Sequence, residues 1–85
     1  MIEFEYRITD SIGLHARPAG MLVKEAKKYK SQITVYANGK KCDATRLMAL
    51  MAMCIKCETV LRVTVDGEDE QTCAVNLEAF FKQNL

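Results

Sequence analysis

The chain has 85 residues, enough for one packed domain but not for a second hydrophobic core, so we predict a single domain over residues 1–85. Apolar residues make up 49% of the chain, charged residues 27%, and the formal net charge is +1. This balance argues against a nucleic-acid-binding protein, which normally carries a strong basic excess. No apolar, uncharged run reaches the length of about 18 residues that a membrane span requires, so we expect no membrane insertion.

The N-terminal sequence and the cysteines bear on the cellular compartment. The first residues, MIEFEYRITD, lack the basic segment and apolar run of a secretory signal, so we expect a cytoplasmic protein whose thiols stay reduced. Cys54 and Cys57 form a CxxC motif, which also occurs in redox pairs and as half of a zinc site. A structural zinc site usually takes four ligands and no second CxxC exists. The favoured interpretation is therefore small apolar side chains, with no metal and no cofactor.

The first half of the chain predicts a strand, a helix and a hairpin. Apolar and charged residues alternate over 2–8, as in a half-buried strand. Apolar residues then recur at helical spacing over 16–29. Residues 32–37 (QITVYA) and 40–43 are predicted strands, and the Asn38-Gly39 pair between them is typical of a type I′ hairpin turn.

The second half predicts a short helix, a strand and a longer helix. Residues 46–53 are almost entirely apolar and are predicted to be helical. Apolar and polar residues alternate again over 59–65, which predicts a strand, and Asp66-Gly67 predicts a turn after it. Over 70–83 the apolar residues fall on one side of a predicted helix. The order β-α-β-β-α-β-α predicts an α+β open-faced sandwich, in which three helices cover one face of a four-stranded antiparallel sheet. Periodicity alone does not give the order of the strands.

The only histidine, His15, lies between the first strand and the first helix and is the main candidate for chemistry. Gly13 permits a tight turn before it, and Pro18 occupies the first helical turn, where no amide hydrogen is needed. The free amides of Ala16 and Arg17 at the positive end of a helix, with the Arg17 cation, favour an anion. A neutral imidazole there has a nitrogen lone pair and can act as a nucleophile. The alternative is an ordinary surface or capping histidine.

The segment Gly13-Leu14-His15-Ala16-Arg17-Pro18 resembles the active-site signature of the HPr family, the histidine-containing phosphocarriers of the phosphoenolpyruvate-dependent sugar phosphotransferase system. The segments ANGK, ATRLMALMAM and DGEDE also fall where HPr proteins have related sequences, so the resemblance covers the whole chain. It implies that enzyme I phosphorylates His15 on Nδ1 and that the phosphoryl group passes to IIA units of sugar permeases. Arg17 matches the arginine that assists the phosphate. The resemblance thus implies a carrier rather than an enzyme.

The segment from Leu47 to Met53 is a run of seven apolar residues, of which a helix on a sheet can bury only part. Exposed apolar patches usually mark partner sites, and methionine adapts to several partners. The alternative is a helix buried on all sides. The HPr resemblance implies that this helix and the first one form a docking surface, and the expected partner-binding residues are Arg17, Gly20, Leu47, Met48 and Met51.

Several positions depart from the HPr pattern. Arg46 replaces the serine that an ATP-dependent kinase phosphorylates in many members, so we expect that regulation to be absent. Thr45 is adjacent and is predicted to cap the following helix. Cys54 and Cys57 stand where glycines are common. Three alternatives to a monomeric sugar-uptake carrier stay open at this point: a carrier in a nitrogen-related or orphan circuit, a module that no longer transfers phosphate, and a redox or zinc protein.

Overall fold

The computed structural model describes all residues from Met1 to Leu85. The structure contains three helices and four strands. In chain order they are β1 (Ile2–Arg7), α1 (Ala16–Ala26), β2 (Gln32–Ala37), β3 (Lys40–Asp43), α2 (Leu47–Ala52), β4 (Val60–Asp66) and α3 (Glu70–Asn84). All strand pairs are antiparallel, and the order across the sheet is β1-β4-β2-β3. The predicted element order and fold class are confirmed.

The alternating strands divide the sheet into a buried face and an open face. Leu61, Val63 and Val65 of β4 are fully buried under the helices. On the open face the Arg62 guanidinium lies 4.5 Å from the centre of the Tyr36 ring and forms an ion pair with Glu3, at 3.4 Å. Helix α3 closes the core from above, with its Phe81 ring stacked on Tyr6 of β1 at a centroid distance of 5.6 Å. The core therefore lies between the sheet and one helical layer.

Helix α1 ends at Ala26, three residues before the predicted end at residue 29, so that part of the prediction is wrong. After Ala26 the chain turns more tightly, because the Tyr29 amide donates to the Ala26 carbonyl three residues back, at 3.3 Å. The amides of Lys30 and Ser31 then donate to the Asp69 carboxylate, at 2.9 and 3.0 Å. These long-range hydrogen bonds direct the chain into β2. They could not be predicted from the periodicity of the local sequence.

The Asp69 carboxylate stays charged in these hydrogen bonds. The hydrogen bond from the Ser31 hydroxyl, followed by the Lys30 amide, lowers the pKa of Asp69 below its usual value. Because the pKa of Asp69 is lower in the folded state, these hydrogen bonds contribute to stability near neutral pH. The contribution is lost as the pH falls through the pKa of Asp69 in the folded protein.

Helix α2 spans Leu47–Ala52, one residue shorter at each end than predicted. The predicted cap is wrong: Arg46 occupies the N-cap position and no side chain caps the helix. The Thr45 hydroxyl donates to the Asp43 carboxylate instead, at 2.6 Å. Burial acts to raise the pKa of Asp43, but the hydrogen bonds from Thr45 and Gln32 outweigh it and the pKa is lowered. A charged acceptor two residues upstream thus competes successfully for the Thr45 hydroxyl.

Several loop residues adopt left-handed backbone conformations. Asn38 and Gly39 both have positive φ, 55° and 75°, as the predicted type I′ hairpin requires. Cys54, just after α2, also has a positive φ of 53°. This conformation costs a side-chain-bearing residue about 1 kcal/mol or more, whereas glycine adopts it freely.

Replacing Cys54 with glycine is therefore expected to stabilise the fold by about 1 kcal/mol. The Cys54 side chain is exposed, so its removal loses little packing. Urea unfolding would measure the change, with Cys57→Gly as the matched control because Cys57 is not among the residues with positive φ. Equal effects of the two substitutions, or a loss of stability in Cys54→Gly, would contradict the expected relief of strain.

Candidate functional site

The segment between β1 and α1 is held against the loop that follows α2. The Leu14 amide donates to the Ile55 carbonyl at 2.9 Å. Gly13 has a φ of 80°, and a Cβ placed there would lie 2.6 Å from the Ile55 carbonyl oxygen and 2.7 Å from the Lys56 Cα. Only a glycine fits this close approach and this conformation together. Gly13 therefore fixes the position from which His15 follows.

The same segment is anchored to the end of α3 by residues distant in the sequence. The backbone amides of Thr9 and Asp10 each donate to the Leu85 carbonyl oxygen, at 2.7 Å, and the Thr9 hydroxyl donates to the same atom at 2.9 Å. The Asp10 carboxylate accepts the Ile12 amide at 2.9 Å and closes a local turn. These bonds explain how a loop without regular structure can present His15 in a fixed position.

His15 is the N-cap residue of α1, with an extended backbone (φ −94°, ψ −175°) and a side chain that makes no capping hydrogen bond. Its carbonyl accepts the Ala19 amide at 3.0 Å, which begins the helix. The amides of Ala16 and Arg17 have no hydrogen-bond acceptor in the protein. The half-buried imidazole thus stands free beside two unpaired donors at the positive end of a helix.

His15 and Arg17 open into one shallow polar cavity of about 270 Å³. The Arg17 guanidinium is exposed and forms no ion pair, so its charge is available to an incoming anion. The structure therefore brings together the histidine and the arginine that the sequence singled out. The cavity is lined by Asp10, His15, Arg17, Pro18, Met21, Gln83 and Asn84.

Four of these lining residues were not predicted from the sequence. Met21 follows Arg17 by one helical turn, and this i, i+4 spacing could have placed it on the same face. Asp10, Gln83 and Asn84 come from the preceding loop and from the far end of the chain. Only the packing of α3 beside the loop brings them to His15, so no local signal was present.

Helix α2 exposes part of its apolar run, as the length of the run predicted. Met48 is 79% exposed, Leu47 is 40% exposed and Met51 is 36% exposed, whereas Leu50 is fully buried. The helix packs against α1, on which Gly20 has open space above its Cα. Ile12, in the loop before His15, is also exposed and was not among the predicted partner residues. An apolar surface therefore exists at the predicted position.

Arg46 is exposed at the start of α2 and forms no ion pair. It carries no hydroxyl group that a kinase could phosphorylate. The neighbouring Thr45 is partly buried, and its hydroxyl is engaged by Asp43. The absence of the serine-type regulation stays a prediction.

The four cysteines are free thiols. Burial raises the pKa of Cys73 to about 11, with smaller contributions from the charges of Asp69 and Glu25. Burial also raises the pKa of Cys42, whose sulfur contacts that of Met53. Cys54 and Cys57 lie in the loop after α2, and no group of three or more potential ligands is arranged to hold a metal ion.

The helices are all too short or too polar to cross a membrane.

Comparisons with known proteins show which family the chain resembles. The family model described as the PTS HPr component phosphorylation site matches residues 2–83. The phosphocarrier protein HPr of Mycoplasma capricolum is 48% identical, over 81% of this chain and 78% of that protein. A solved histidine-containing phosphocarrier protein of Mycoplasma has a TM-score of 0.93 at 39% identity, covering 96% of this chain and 93% of the other. An HPr of Thermoanaerobacter tengcongensis, solved as a dimer, has a TM-score of 0.76 at 32% identity, covering 98% and 95%.

The family model matches nearly the whole chain, and the solved relatives share its fold. The chain therefore belongs to the HPr family of phosphocarrier proteins of the phosphotransferase system.

Proposed function

We propose that His15 is the residue that carries the phosphoryl group, which it accepts from enzyme I after enzyme I has reacted with phosphoenolpyruvate. It then passes the group to IIA units of sugar permeases. One observation supports this assignment most directly. The His15 imidazole makes no capping hydrogen bond, and it shares one open cavity with the Arg17 guanidinium, which forms no ion pair. The carrier acts in the cytoplasm as a monomer, with no bound metal or cofactor.

The transfer is a displacement at phosphorus. The Nδ1 lone pair of His15 attacks the phosphorus atom of the donor, a P–N bond forms, and the bond between phosphorus and the donor breaks with its electron pair staying on the donor. The reverse displacement by a nucleophile of the acceptor restores His15. Phosphoryl transfer depends mainly on positioning and on stabilisation of charge. The Ala16 and Arg17 amides and the Arg17 side chain would supply that stabilisation around the phosphoryl oxygens.

The exposed face formed by α2 and the start of α1 serves as the docking surface for both classes of partner. The apolar side chains of Leu47, Met48 and Met51 cost free energy in water that burial against a partner would recover. Gly20 leaves room for a partner to approach α1 closely. Methionine side chains adapt to differently shaped surfaces, which suits a carrier that must dock with a donor and an acceptor in turn.

Replacing Met48 with glutamate is expected to reduce the efficiency of phosphoryl transfer from enzyme I by on the order of tenfold, the loss typical of one important interface contact. The fold should be unaffected because the side chain is 79% exposed. The matched control is Val75→Glu, at an apolar residue on α3 that is 68% exposed and lines a different cavity. If Met48→Glu lost thermal stability in proportion to transfer, or if both variants lost transfer equally, the docking role would be wrong.

A two-step relay tests the proposed function. The chain is incubated with phosphoenolpyruvate and enzyme I of the sugar system, and a IIA protein is then added. One phosphoryl group per chain should appear and then move to the IIA protein. A parallel reaction with the enzyme I and IIA of a nitrogen-related circuit compares the two circuits. Faster transfer in the nitrogen-related reaction, or no transfer in either, would contradict the proposal.

A further inference from the structure

Asp10 is the only acidic side chain that lines the His15 cavity, and Arg17 is the only permanent cation there. Three hydrogen bonds hold Asp10 in place. Its amide donates to Leu85 at 2.7 Å, its carbonyl accepts the Gly13 amide at 2.9 Å, and its carboxylate accepts the Ile12 amide at 2.9 Å. A negative charge is therefore fixed in the wall of the cavity that would receive the phosphoryl group.

The turn at Asp10 does not require that charge. Its side chain forms no ion pair, and an asparagine carbonyl oxygen could accept the same bond from the Ile12 amide. The hydrogen-bonding role and the electrostatic role of Asp10 can therefore be separated by one isosteric substitution.

We infer that the Asp10 carboxylate weakens the hold of the cavity on phosphorylated His15 and so raises the phosphoryl-transfer potential of the chain. A phosphoryl group brings roughly two negative charges, which Arg17 attracts and Asp10 repels. The negative charge of Asp10 also offsets part of the positive potential that Arg17 creates in the cavity. Both effects make the phosphorylated state of His15 less stable and therefore favour release of the phosphoryl group.

This inference rests on the proposed function, because it concerns the stability of the phosphorylated state of His15. A carrier has to release the group as readily as it receives it. Arg17 and the helix amides alone would favour retention, and a fixed opposing charge in the same cavity offsets part of that stabilisation. Asp10 therefore changes the equilibrium constant for phosphoryl transfer, whereas His15 forms the bond to phosphorus.

A competition between two forms of the chain measures this balance directly. Unlabelled phosphorylated parent and ¹⁵N-labelled Asp10→Asn are mixed in equal amounts with a trace of enzyme I, and intact-mass spectrometry gives the phosphorylated fraction of each at equilibrium. At low salt the equilibrium constant for transfer from the parent to the variant should be about 3–10, as expected for one charge acting on two across several ångströms. The preference should shrink in about 1 M salt, where the screening length is roughly 3 Å.

The control is Glu5→Gln, which removes one negative charge from the open face of the sheet, at a cavity shared with Tyr36 and Arg62. This variant should share the phosphoryl group equally with the parent. Equal sharing between Asp10→Asn and the parent at low salt, with both phosphorylated through enzyme I, would overturn the inference while the proposed function stands. If neither form exchanges phosphoryl groups through enzyme I, the proposed function fails and the inference fails with it.

Discussion

Replacing His15 with alanine is expected to reduce phosphoryl uptake from enzyme I to background and to leave the fold intact. The imidazole nitrogen is the proposed nucleophile, and His15 is the only histidine in the chain. Stability should change little because the His15 side chain makes no capping hydrogen bond. The midpoint of thermal unfolding should stay within about 4 °C, since 1 kcal/mol corresponds to roughly 4–8 °C in a domain of this size.

Arg17→Gln gives the informative contrast. This variant keeps the nucleophile and loses the cation, so it should still be phosphorylated, but more slowly by on the order of tenfold to a hundredfold, the usual cost of one charged hydrogen-bonding contact. Radiolabelled phosphoenolpyruvate with enzyme I would measure both variants. An acid-labile phosphoryl group on His15→Ala at a rate near that of the parent would show that another residue is the acceptor.

Replacing Gly13 with alanine is expected to destabilise the protein by about 2–5 kcal/mol. The positive φ contributes about 1–2 kcal/mol of strain, and the overlap with neighbouring backbone adds about 1–3 kcal/mol. The new Cβ would meet the Ile55 carbonyl oxygen and the Lys56 Cα, both at under 3 Å, and neither can move as freely as the end of a side chain. The hydrogen bond from Leu14 to Ile55 would be disturbed at the same time.

Urea unfolding of Gly13→Ala beside Gly20→Ala would test this requirement. Gly20 lies within α1, and a Cβ added to it would have no neighbouring atom within 4 Å. The control substitution should therefore stabilise the helix by about 0.5–1 kcal/mol. Similar stabilities of the two variants would mean that the loop tolerates a side chain at Gly13, and that the close contact with Ile55 does not fix His15.

The individual strands and turns could be predicted from the sequence, because each depends on interactions between residues close together in the chain. Alternation over residues 2–8 and 59–65 marked the two strands whose inner residues meet α3, and Asn38-Gly39 specified the hairpin. The end of α1 was predicted wrongly because the Asp69 carboxylate, far along the chain, redirects Lys30 and Ser31. The strand order was also out of reach, since it depends on which strands pair across the core.

The candidate site likewise has some residues that could be predicted from the sequence and others that could not. His15, Arg17 and the unpaired amides lie within one short segment, so motif and helix-terminus reasoning could find them together. Asp10 and Asn84 join them only through the bonds that attach the loop to Leu85. The misplaced Thr45 cap has a similar origin, because capping propensity does not reveal that Asp43 competes for the hydroxyl.

The phosphoryl acceptor can be located directly by peptide mapping of the chain after reaction with phosphoenolpyruvate and enzyme I, with mass spectrometry under conditions that preserve P–N bonds. We predict one phosphoryl group per chain, carried entirely by His15 in the peptide that contains Gly13 and Arg17. A phosphoryl group at any other residue, or an unmodified chain in a reaction that phosphorylates a known HPr protein, would contradict the assignment of His15 as the carrier residue.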